Sequence, residues 1–185
     1  MTEIRVYFEG HSTLRHGELC ALARNRVDLS FIAAKDGPSA YGKALRSHPE
    51  ALNVLLKDSE GPLPKDETTI CRRLGIEPSN TRNVFWMVEL MESWFLAHPE
   101  AVKRYFDDQA FSRKALGSTA NVENIPKTEV LRRLHDATVR TKKGSYHKTK
   151  HAPHLLEQVD PSLVRERAEN CRKFFTAIRA MIENQ

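Results

Sequence analysis

The sequence predicts an α/β fold: a mostly parallel sheet flanked by helices, followed by a helical second half. Three observations predict it. Strand-like and helix-like segments alternate through the first hundred residues, as they do where crossover helices cover a parallel sheet. One segment, 51–57 (ALNVLLK), is an almost unbroken apolar run, which suits a strand buried on both faces. Beyond Pro99 the strand-like runs stop and helical periodicities take over.

Residues 3–9, EIRVYFE, alternate apolar Ile4, Val6 and Phe8 with more polar neighbours and predict the first strand, closed by Gly10. Residues 13–24 carry Leu14, Leu19, Leu22 and Ala23 at helical spacing. A second strand is expected at 27–34, bounded by the turn signal Asp36-Gly37-Pro38. A helix from Ser39 to about Ser47 stops before Pro49. After the apolar strand comes a turn-rich DSEGPLP, then a short helix at 66–74. From Asn83, NVFWMVELMESWFLAH reads as a strand that turns into a helix, with Trp86 and Trp94 in the core. Helices are expected at 99–107 and 127–139, each with a proline near its first turn. The last helix, 161–183, has Asp160 as N-cap and Pro161 at its first position. Its stripe of Val164, Ala168, Cys171, Phe175, Ile178 and Ile182 must pack on something, most simply the back of the sheet. The expected organisation is a core at 1–98 and a helical extension at 99–185 packed on it.

A chain of 185 residues with 40% hydrophobic and 29% charged residues falls in the globular range. Cys20, Cys71 and Cys171 form no CxxC pair, so they are expected as reduced core residues rather than a disulfide or zinc framework. The first residues hold no apolar run of signal-peptide length, and no stretch approaches a membrane span. A cytoplasmic protein with no membrane contact is expected. The net charge of +5 favours polyanionic partners, nucleic acid above all. Basic residues concentrate between Asp136 and Glu157, where Arg140, Lys142, Lys143, Lys148 and Lys150 meet no acid. With Gly144 and Tyr146 in the same stretch, a loop wrapping a phosphate backbone is expected.

Acids gather at two predicted strand ends. Glu9 closes the first strand, and Asp58 and Glu60 close the apolar one. Ligands of parallel sheets bind at the carboxyl ends of strands. In extended chain, Asp58 and Glu60 point to the same side. Converging carboxylates repel unless a cation neutralises them, and hard oxygen ligands suit Mg2+ or Mn2+. Glu89 and Glu92 are expected on one face of an otherwise apolar helix, where a carboxylate needs a partner such as a lysine. Lys127 opens a predicted helix after Pro126, an unfavourable place for a cation unless it binds an anion. There is no GxxxxGK[ST] run, so any ATPase would be a separate protein.

These motifs resemble the TOPRIM fold, in which a glutamate after the first strand and a DxD-type pair after a later one bind Mg2+. Glu60 stands where the usual pair has a second aspartate. More closely, YFEGHS at 7–12, LLKDSEGP at 55–62, VELMESWFLAHPEAVKRYF at 88–106, Ile125-Pro126-Lys127 and YHKTKHAPHLLEQVDP at 146–161 resemble domain-of-unknown-function family 4276. The resemblance implies a TOPRIM-like core with Glu9, Asp58 and Glu60 as metal ligands. With the acids at strand ends and the basic second half, a metal-dependent nuclease is expected, in which Lys127 and Lys148 act on the phosphate. Lys43, Arg46, Tyr146 and His151 are expected as substrate contacts, supported by Glu89, Glu92 and His11. By analogy with TOPRIM nucleases of defence systems, an ABC- or AAA-type ATPase is an expected partner. The alternative is a catalytically quiet nucleic-acid-binding or regulatory subunit of an ATPase complex.

Overall fold

A computed structural model describes residues 1–9 and 17–185. Gly10, His11 and the start of the helix expected at 13–24 lie outside the described residues. In chain order the strands are β1 (Thr2–Glu9), β2 (Val27–Ala34), β3 (Leu52–Asp58) and β4 (Val84–Met87). The helices are α1 (Gly17–Ala23), α2 (Gly37–Ser47), α3 (Thr68–Arg73), α4 (Ser93–Ala97), α5 (Pro99–Phe106), α6 (Lys127–Thr138), α7 (Lys148–Gln158), α8 (Pro161–Arg167) and α9 (Glu169–Glu183). The chain divides into two compact units. The first holds Met1–Asp58, Leu63–Met87 and Lys173–Gln185, and the second holds Ser59–Pro62 and Val88–Arg172. The end of the last helix goes with the sheet.

The first unit is the expected α/β layer. Its four strands are all parallel, in the order β2-β1-β3-β4. The apolar run does what its composition requires: Val54, Leu55 and Leu56 of β3 are wholly buried at the centre. One face is filled by Tyr7, Leu55, Val84 and Trp86 against Tyr41 and Ala44 of α2 and Cys71 of α3. Burial pushes the Tyr41 phenol up to about 12. Helix α2 begins two residues earlier than the sequence suggests, because Asp36 caps it by accepting the Ser39 amide at 3.1 Å. A Cβ at Gly37 would stand 3.3 Å from the Leu55 Cδ1, a tight contact, and 3.6 Å from the Glu9 amide nitrogen. Phe174 of α9 meets Phe85 of β4 edge to face at 5.7 Å.

The second unit is helical, with Trp94, Phe95, Val102, Phe106, Val130, Leu134 and Leu155 buried in its interior. Three local expectations change here. The continuous helix 161–183 is two helices, because Ala168 adopts extended backbone. Arg167 holds that break by donating to the carbonyls of Leu96, Ala97 and Thr119. The basic stretch is not a wrapping loop beyond Tyr146: Lys148 starts helix α7, which accommodates Pro153. Glu89 and Glu92 do not share a helix face, since α4 begins only at Ser93. Of the cysteines, Cys71 and Cys171 are buried and Cys20 is exposed; all three are free thiols. Among the described residues no helix is long and apolar enough to cross a membrane.

Candidate functional site

The parallel register decides which polar groups meet in the first unit. Phe8 pairs with Leu56, so the next step sets Glu9 beside Lys57 on adjacent strand ends. Their side chains point the same way, and the Lys57 ammonium donates to Glu9 Oε2. Successive side chains of a strand alternate between faces, which sends Asp58 to the face opposite Lys57. Asp58 is 8% exposed at the end of β3. Beside Glu9 opens a crevice of about 340 Å³ lined by Lys35, Asp36, Ser39, Lys57 and Arg73. Its walls are the carboxyl ends of β1, β2 and β3 and the first turn of α2. Lys35, Lys57 and Arg73 thus share this crevice with the carboxylates of Glu9 and Asp36.

In the second unit, the segment after β3 is locked to the segment after β4. The Glu60 amide donates to the Glu89 carbonyl at 3.0 Å, and the Glu89 amide donates to Ser59 Oγ at 2.8 Å. Ser59 Oγ in turn donates to the Gly61 carbonyl at 2.6 Å. Both glutamates take left-handed backbone, φ 61° at Glu60 and 56° at Glu89. Such a conformation costs a residue with a Cβ about 1–2 kcal/mol, offset here by the interlocking bonds. It also cancels the expected alternation of Asp58 and Glu60, because the chain is no longer extended after Asp58. Lys127 closes this cluster from the start of α6. Its amide donates to Glu89 Oε2 at 2.5 Å, and its ammonium lies 3.3 Å from Glu60 Oε2.

A separate group surrounds Glu92, which is completely buried. The Tyr146 hydroxyl donates to Oε1 at 3.0 Å, and the Lys148 ammonium lies 3.7 Å from Oε2. The lysine beside this acid is Lys148. Tyr146 and Lys148, expected on a substrate phosphate, face a protein carboxylate. His151 is 1% exposed in a cluster with Tyr105, Phe106 and Tyr146, and its Nδ1 accepts the His147 amide at 3.0 Å. Burial, then the nearby Lys150, holds its imidazole below the usual range. This histidine caps α7 from inside rather than facing a substrate. Lys43 is exposed in the middle of α2, and Arg46, at the far end of α2, lines a different cavity from Glu9. His11 lies outside the described residues.

The three carboxylates expected on one ion are thus distributed. Glu9 holds Lys57, Glu60 holds Lys127, and among the described residues no group of three or more His, Cys, Asp and Glu side chains is placed to hold a metal ion. Sequence reasoning missed Lys35, Lys57, Arg73 and Ser59. Lys57 was legible in principle as the one cation in an otherwise apolar strand, just before Asp58.

Residues 11–179 match the family described as "Domain of unknown function (DUF4276)". The chain belongs to that family. The match takes in the Ser59–Gly61 segment, the Glu89–Glu92 segment, Lys127 and the Tyr146–His151 block, so every polar cluster of the second unit falls inside the DUF4276 region. Of the crevice residues, only Glu9 precedes it. No curated protein and no solved structure matches the chain.

Proposed function

We propose that the chain is a TOPRIM-like, Mg2+- or Mn2+-dependent nuclease acting on nucleic-acid phosphodiesters in the cytoplasm. The observation that supports this reading is the crevice beside Glu9. With strand order β2-β1-β3-β4, the chain leaves β1 for one side of the sheet and returns on the other, so the crevice lies at the topological switch point. Lys35, Lys57 and Arg73 offer a phosphate both charge and hydrogen bonds. Mg2+ is commonly held by one or two carboxylates plus waters and substrate phosphates, so it does not demand three protein ligands. Glu9 is 41% exposed and so within reach of an ion, which would displace the Lys57 ammonium from it. Asp58, expected as a second ligand, does not line this crevice, so on this reading Glu9 is the protein carboxylate on the ion. When bound, the ion would activate water and stabilise the leaving oxygen. Lys57 and Arg73 would hold the phosphate against Glu9.

The test is cleavage of single- and double-stranded DNA and RNA with Mn2+ by the wild type, Glu9→Gln and Asp58→Asn. Loss of cleavage in Glu9→Gln with an unchanged melting curve is the expected result. Equal cleavage in EDTA would refute the metal dependence.

The second reading, a catalytically quiet nucleic-acid-binding or regulatory subunit of an ABC- or AAA-type ATPase complex, is favoured by the Glu9–Lys57 and Glu60–Lys127 pairs themselves. On that reading the acids set the positions of lysines that bind phosphates. Salt-sensitive binding without cleavage, retained in Glu9→Gln, distinguishes it.

A further inference from the structure

The net charge of the chain has one source. Residues 137–156 hold Arg140, Lys142, Lys143, Lys148 and Lys150 and no acid. Without those five, the 29 Lys and Arg fall to the number of Asp and Glu, 24, so the whole +5 lies in this stretch. It belongs to the second unit and runs from the end of α6 through a turn at Gly144 into α7. Arg140, Lys142, Lys143, His147, Lys150 and His154 are exposed. Among the described residues none of Arg140, Lys142, Lys143 and Lys150 forms an ion pair, whereas Lys148 is turned to Glu92. The preceding helix shows the ordinary solvated arrangement: on α6, Arg132 and Arg133 interleave with Glu129 and Asp136 in ion pairs. Like charges left together without acids repel, and a bound polyanion relieves that repulsion.

The cations are gathered around one point. After burial itself, the charges of Lys150, His147, Lys143 and His154 depress the His151 imidazole, so all four stand near one ring. The Lys143 ammonium lies 5.2 Å from the centre of the Tyr105 ring. The His154 ring lies 5.9 Å from the same centre at an interplanar angle of 16°. Tyr105 belongs to α5, so α5 and α7 build this face together. Asp108 faces Lys142 and Lys143, but its carboxylate is taken up by the Lys142 amide at 2.7 Å and the Ala110 amide at 2.8 Å. His154 adds what a lysine cluster lacks. Its exposed ring is held parallel to a tyrosine, and an unpaired base can continue that stack.

We propose that this face of the second unit binds a single strand of nucleic acid. Its phosphates lie on Lys142, Lys143 and Lys150, and one base stacks on His154. A duplex keeps its bases inside and leaves the ring unused. An acidic peptide satisfies the charge without needing the ring. The face is separate from the crevice, and the proposal does not rest on cleavage there.

The test is fluorescence anisotropy of labelled single-stranded DNA and RNA dodecamers with the full chain, in EDTA so that binding is read without cleavage. A single strand should bind with a Kd of about 10 μM or tighter at ~50 mM salt, and more weakly as salt rises. Lys142→Gln combined with Lys143→Gln should make the salt slope shallower by about 1.4, the share of two phosphate contacts. His154→Ala should weaken binding at least about fivefold and leave the salt slope unchanged. Melting curves equal to wild type show that these exposed substitutions leave the fold intact. A wild type that binds but does not cleave with Mn2+ overturns the crevice reading alone. The present proposal is overturned if no single strand binds, or if a duplex dodecamer or a poly-glutamate of equal length binds as tightly. It is also overturned if either variant binds like wild type.

Discussion

Removing the hydroxyl of Tyr146 should cost the chain more stability than removing the charge of Lys148. Both groups serve Glu92, whose side chain is 0% exposed. The Lys148 ammonium is 3.7 Å from Oε2, which corresponds to about 4.5 kcal/mol at an effective dielectric of ~20 but about 1 kcal/mol in water. Lys148 is 60% exposed, so solvent screens the pair and the lower figure governs. Tyr146 works differently, because its hydroxyl donates directly to the buried Oε1 at 3.0 Å. Hydrogen bonds to charged groups contribute about 1.5–3 kcal/mol, and Tyr146→Phe leaves the ring packing in place. The expected loss is about 2 kcal/mol, a fall in Tm of about 4–8 °C for a chain of this size. Lys148→Met should cost less than about 1 kcal/mol. Urea unfolding followed by circular dichroism, with m-values unchanged, measures both. A cycle with Glu92→Gln should return a coupling of at least about 1 kcal/mol for Tyr146. A loss below about 0.5 kcal/mol for Tyr146→Phe, or a larger loss for Lys148→Met, would refute the reasoning.

Lys57→Met removes the ammonium that competes for Glu9, so Mn2+ affinity measured by electron paramagnetic resonance should rise about two- to fivefold. Unchanged affinity would remove Glu9 from the ion. Asp36→Ala should destabilise the chain by about 0.5–2 kcal/mol through the lost cap of α2, and loosen the crevice wall that α2 forms. On the outer face of α6, Arg132 and Arg133 hold the Glu129 carboxyl down at about 2. A depressed folded value stabilises above the unfolded value and is lost as pH falls through the folded one. Glu129→Gln should therefore lower Tm at pH 6, and the difference from wild type should vanish between about pH 4.5 and about pH 2.

The sequence by itself determined the local and periodic features. Alternation in EIRVYFE, the apolar run around Leu55 and the spacing along Cys171, Phe175, Ile178 and Ile182 each encode a burial pattern. Burial of a strand or helix face is a property of consecutive residues. The acids at 9 and 58 were legible for the same reason, because strand ends follow from strand lengths. Only the tertiary structure decided which groups face one another. The parallel register, not proximity in sequence, sets Glu9 beside Lys57, and the left-handed backbone at Glu60 and Glu89 carries their carboxylates to Lys127. The buried place of Glu92 selects Tyr146 and Lys148 from fifty residues away. Pairing of charges depends on distances between segments remote in the chain, and composition and spacing do not carry those distances.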